Sequence, residues 1–136
     1  MSQLKLGFFP PYQPTAVVVA LILFLTLVPK PVSDDIPMFE GADKVVHFIM
    51  FGALTGVVCF DRWRTGRPLG MRGALLVALC SALAGIGIEW LQGIMGLGRG
   101  GNDPCDALAD MLGAFAAVPV CRALPWLDVL VDARAR

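Results

Sequence analysis

Charge is scarce in this chain. Asp, Glu, Lys and Arg make up 16% of its 136 residues, against about 25% in a typical soluble domain. Eleven basic residues balance eleven acidic ones, so no bulk basicity points to nucleic acid. Histidine occurs once, and the four cysteines (Cys59, Cys80, Cys105, Cys121) form no CxxC pair. That removes a zinc knuckle and a thioredoxin-like motif. There is no glycine motif of the Rossmann or P-loop type, so no cofactor is expected. No alternating pattern is long enough for a membrane β-barrel, and no tandem repeat is visible. What the chain has instead is apolar surface: 57% of residues are hydrophobic and the mean hydropathy is +0.71. Disorder is excluded, and the length suits one domain of a small polytopic membrane protein.

Four apolar segments carry that hydropathy. The first, Thr15–Val28, lies between Pro14 and Pro29; Pro is tolerated in a helix's first turn and stops a helix at its far end. Fourteen residues reach only about 21 Å, so the span is expected to extend back to Tyr12 as an interfacial aromatic. No A-x-A site follows it and further spans do, so it reads as a retained helix rather than a signal peptide. The second segment, Val45–Phe60, holds Gly52 and Gly56 at GxxxG spacing, which lets helices approach closely in lipid. The third, Gly73–Leu97, is long enough to span and carries Ser81 and Gly85 four apart. The fourth, Ala107–Leu124, is expected to kink at Pro119, with Trp126 at an interface. The expected fold is all-α, four transmembrane helices in a bundle. Residues 1–14 form an interfacial segment, 15–126 the membrane domain and 127–136 an extended amphipathic cytoplasmic tail.

The basic residues orient it. With both termini cytoplasmic, the inner side holds Lys5, Arg62, Arg64, Arg67, Arg72, Arg122, Arg134 and Arg136, and the outer side only Lys30, Lys44 and Arg99. Four arginines in the short Asp61–Arg72 loop decide the matter; beside anionic lipid they need no other explanation. Most acids then fall outside, so polar chemistry is expected on the outer face of a bacterial cytoplasmic membrane.

Three polar clusters meet at that level. Asp43 and His47 are four apart at the start of the second helix, with Lys44 between them. Glu89 and Gln92 are three apart at the end of the third. Arg99 precedes Asp106 and Asp110, four apart on the fourth, with Gly113 continuing the stripe. Such spacings place each pair on one helix face. Asp103 is placed to cap the fourth helix, with Pro104 at its first position. An ionisable residue inside a membrane span is costly and marks function by default. His47, Glu89, Asp106 and Asp110 supply one imidazole and three carboxylates, a set able to hold Zn²⁺ or Mn²⁺, but one histidine is few and no metal is assigned. Asp43 and His47 can act as a general base, although no serine nucleophile is near and water would have to serve. Lys44 and Arg99 can hold a phosphate or carboxylate of an envelope lipid.

The order D-K-x-x-H-F, E-x-x-Q, R and D-x-x-x-D-x-x-G, over roughly residues 30–125, resembles the VanZ-like family of small integral membrane proteins. Asp43, Lys44, His47, Phe48, Glu89, Gln92, Arg99, Asp106 and Gly113 match its pattern. Asp110 stands where the family usually has Asn, and the stretch between Gln92 and Asp106 is unusually rich in glycine. The resemblance implies an envelope-associated protein. Its namesake is linked to glycopeptide resistance, a property not transferred on motif alone. The expected function is recognition or modification of an envelope lipid, glycan or glycopeptide through Asp43, Lys44, His47, Glu89, Gln92, Arg99, Asp106 and Asp110. Two alternatives differ in class. One is a non-catalytic assembly protein that packs against a second copy or a partner through Gly52/Gly56 and Ser81/Gly85. The other is an intramembrane metal-dependent hydrolase.

Overall fold

The computed structural model of the chain describes residues 10–28, 39–96 and 104–134. All regular structure among them is helical: α1 Gln13–Leu27, α2 Ala42–Arg64, α3 Met71–Met95, α4 Pro104–Ala116 and α5 Val118–Arg134. Three apolar lengths are long enough to cross a membrane: α2, α3, and α4 with α5 counted together over Pro104–Leu130. The fourth expected span, α1, is shorter, at 15 residues, or about 22 Å. Tyr12 precedes it rather than joining it.

The helix limits differ from those expected, for local reasons. α2 runs past Phe60 to Arg64 because the polar residues Asp61 and Arg64 satisfy each other one turn apart, at 2.7 Å. Gly41 precedes α2 with φ +82°, a left-handed conformation that glycine adopts without steric cost. The expected kink at Pro119 is a break one turn earlier: α4 ends at Ala116, and Pro119 lies in the first turn of α5, where its missing N–H is tolerated. The expected extended tail continues α5 through Arg134.

The surface is more apolar than the interior. Leu76, Leu83, Trp90, Leu112 and Val120 are exposed, whereas the buried set is dominated by small or polar side chains. On α3, Ala74, Ala78, Ser81, Ala82, Gly85, Glu89 and Gln92 form one buried stripe. Without a hydrophobic force between helices in lipid, small residues let backbones approach and polar groups join them. The tightest approach is between α2 and α4. A Cβ added to Gly113 would overlap the carbonyl oxygen of Phe48, and one on Gly52 would lie 3.1 Å from the Gly113 carbonyl oxygen. Gly56, by contrast, has open space around a Cβ.

A polar latch fixes the opposite end of α2. The fully buried Asp61 accepts hydrogen bonds from the Thr15 amide (3.0 Å), the Thr15 hydroxyl (2.6 Å) and Arg64 (2.7 Å). Arg64 also donates to the Pro10 carbonyl at 2.6 Å. The Trp63 indole donates to Asp128 at 3.0 Å, which joins α5 to the same end.

Candidate functional site

At the end of the molecule away from the Asp61 latch, the start of α2, the end of α3 and the start of α4 bring six of the eight expected residues together. Asp43, Lys44 and His47 lie in the first two turns of α2, Glu89 in the last two turns of α3, and Asp106 and Asp110 in the first two turns of α4. Lys44 Nζ donates to Asp43 Oδ2 at 2.8 Å and to Asp106 Oδ1 at 3.0 Å. His47 Nδ1 is 2.8 Å from Asp110 Oδ1, and its Nε2 is 3.7 Å from Glu89 Oε1. One imidazole therefore lies between two carboxylates carried by two other helices. The pairings span more than sixty residues in the case of Lys44–Asp106 and His47–Asp110. Local spacing aligns each pair on its helix, but only the packing of α2 on α4 joins the pairs.

Burial grades across the group. Asp43 and Lys44 are at the rim, with side chains 56% and 36% exposed. Glu89, Asp106 and Asp110 are buried, Asp110 completely. Glycine makes room for that carboxylate. A Cβ on Gly85 would collide with Asp110 Oδ2, so α3 presents bare backbone where Asp110 enters. Asp110 Oδ2 makes no hydrogen bond among the described residues.

The other two expected residues have different placements. Gln92 donates its side-chain amide to the Thr26 carbonyl at 2.7 Å, which ties the end of α3 to the end of α1. Arg99 lies outside the described residues, as does the proposed cap Asp103. Pro104 opens α4 as expected. The sequence reading missed Thr26, Thr55 and Asp61 as interior polar groups, and the half-buried Thr15 as the partner of Asp61. Thr26 returns its hydroxyl to the Ile22 carbonyl at 2.7 Å, so its polarity is hidden inside its own helix. Asp61 was read as a loop acid; the signal available was Arg64 three residues on, a helical ion-pair spacing.

Beside Glu89, α3 and the start of α4 enclose a groove of about 440 Å³. Leu83, Ile86, Gly87, Trp90, Pro104 and Ala107 line it together with Glu89, so this open apolar groove includes one carboxylate. The geometry can hold a polar head between charged helix ends while an apolar portion lies along α3. No family model, curated protein or solved structure matches this chain.

Proposed function

We propose that this chain is a VanZ-like protein of the bacterial cytoplasmic membrane that recognises or modifies an envelope lipid, glycan or glycopeptide. In this reading α1, α2, α3 and α4–α5 each cross the membrane, both termini are cytoplasmic, and the Lys44–His47 end faces outward. The observation that carries it is the convergence of Asp43, Lys44, His47, Glu89, Asp106 and Asp110 from three helices. Burying Glu89, Asp106 and Asp110 in a small membrane domain is expensive, and a bound ligand would offset that cost. The adjoining groove favours an amphiphile: apolar walls suit an acyl chain, and the head would meet Glu89.

Two measurements test the reading. Cys105, exposed in the first turn of α4, reports sidedness through a membrane-impermeant maleimide. Labelling while the inner membrane is intact supports the outward orientation; labelling only after that membrane is breached overturns it. Lipids retained by the detergent-purified protein, read by native mass spectrometry, test the ligand. An envelope amphiphile held by the wild type and lost from folded His47→Ala and Glu89→Gln supports recognition. An identical lipid complement in all three proteins refutes it.

A second reading, a non-catalytic assembly protein, draws on the same ion pairs, because every polar group in lipid needs a partner. Because Gly52, Ser81 and Gly85 are already packed within the chain, it predicts that enlarging Gly56, which faces open space, harms the protein more than neutralising the cluster.

A further inference from the structure

Within the cluster, three side chains from three helices converge on one point. His47 on α2, Glu89 on α3 and Asp110 on α4 each offer one ligand atom, and these atoms all lie within 4.8 Å of one another. Three ligands at about 2.0–2.2 Å from one tetrahedral ion are about 3.3–3.6 Å apart. Small side-chain rotations therefore close the set around an ion without moving a helix. The imidazole-plus-carboxylate donors are of intermediate hardness, and such a set suits a first-row divalent ion.

A second observation comes from Asp110 alone. Its carboxylate is fully buried. Oδ1 meets His47, and Oδ2 has no hydrogen-bond donor among the described residues. A buried carboxylate oxygen without a donor is strongly unfavourable unless a positive group meets it. Lys44 is held by Asp43 and Asp106. Gly85, one turn before Glu89 on α3, leaves the space that this carboxylate occupies.

We propose that His47, Glu89 and Asp110 bind a divalent transition-metal ion of the Zn²⁺ or Mn²⁺ type. Three protein ligands leave a further coordination position for water or a ligand oxygen. The site does not depend on the envelope ligand proposed above, and its test uses no such ligand.

The test takes the full chain in detergent micelles, stripped with a chelator and dialysed, then titrated separately with Zn²⁺, Mn²⁺ and Co²⁺. Bound metal is counted by elemental analysis, and Co²⁺ absorption reports the donor set. The expected result is saturable uptake of a single ion per chain, with visible Co²⁺ bands of a nitrogen–oxygen site. Glu89→Gln and Asp110→Asn should weaken uptake at least about tenfold, while Asp128→Asn, beside Trp63 at the far end of α2, leaves it unchanged. Circular dichroism and gel filtration verify folding. Should a cluster variant fail to fold, the wild-type Co²⁺ spectrum and stoichiometry decide alone. The absence of saturable uptake by the folded wild type overturns the proposal, as does uptake that survives unchanged in folded Glu89→Gln and Asp110→Asn.

Discussion

Replacing Gly113 by Ala asks how far the α2–α4 contact can yield. The new methyl group would overlap the Phe48 carbonyl oxygen and lie 2.8 Å from its carbonyl carbon and 2.9 Å from its Cα. Carbon atoms pack at about 3.5–4.0 Å, and all three neighbours are backbone, so no side chain can swing aside. The helices must part by the order of an ångström. Overpacking of this kind costs about 1–3 kcal/mol. The parting also stretches the buried His47–Asp110 contact, a charge-assisted bond when the imidazole is protonated, worth about 1.5–3 kcal/mol. Alanine returns about 1 kcal/mol of helix propensity. The net loss should be about 1.5–5 kcal/mol. Gly56→Ala, which meets open space, should be neutral or up to about 1 kcal/mol stabilising. Equilibrium unfolding in mixed detergent micelles, followed by tryptophan fluorescence, measures both. A Gly113→Ala protein within about 0.5 kcal/mol of the wild type would refute the close backbone contact and with it the geometry of the site.

Other expected outcomes follow from the same contacts. Asp61→Ala strands Arg64 and both Thr15 donors inside the protein; it should cost about 3–5 kcal/mol in the same unfolding assay, and Asp61→Asn less. Lys44→Met removes a partly exposed ion pair with Asp106 and should change stability by no more than about 1 kcal/mol; a larger loss would mean that Lys44 supports the buried carboxylates directly. Gly85→Ala would press on Asp110, so it should disturb metal uptake while leaving helix content by circular dichroism unchanged.

Much of this arrangement was legible in the residue order. Pro14 and Pro104 mark helix starts, and the i, i+4 spacings of Asp43 with His47 and Asp106 with Asp110 placed each pair on one face. Long-range pairing was not legible. Gln92 shares a face with Glu89, yet it reaches α1 because Thr26 lies in the last turn of that helix, where its carbonyl has no amide of its own helix to accept from. Asp61 looked like the first residue of a loop because hydropathy falls there. Its burial depends on Thr15, forty-six positions away. The extra helical turns of α2 and α5 had the same cause: charged residues read as exits from the apolar segment, but Arg64 found Asp61 in its own helix and the Pro10 carbonyl outside it, and Asp128 found Trp63 on α2.

The bare backbone contact between Gly113 and Phe48 adjoins the cluster at both ends: Phe48 follows His47, and Gly113 is one turn beyond Asp110. The packing of the two helices and the geometry of the cluster are therefore coupled at one crossing. A compound or ion that binds only with His47 and Asp110 in register must also clamp α2 to α4, and it raises the unfolding midpoint in proportion to the logarithm of its concentration over its dissociation constant. Melting curves of the purified protein can thus serve as a ligand screen before any activity is known. Gly113→Ala supplies its built-in control, because a genuine site ligand should lose its stabilising effect when that crossing is forced apart.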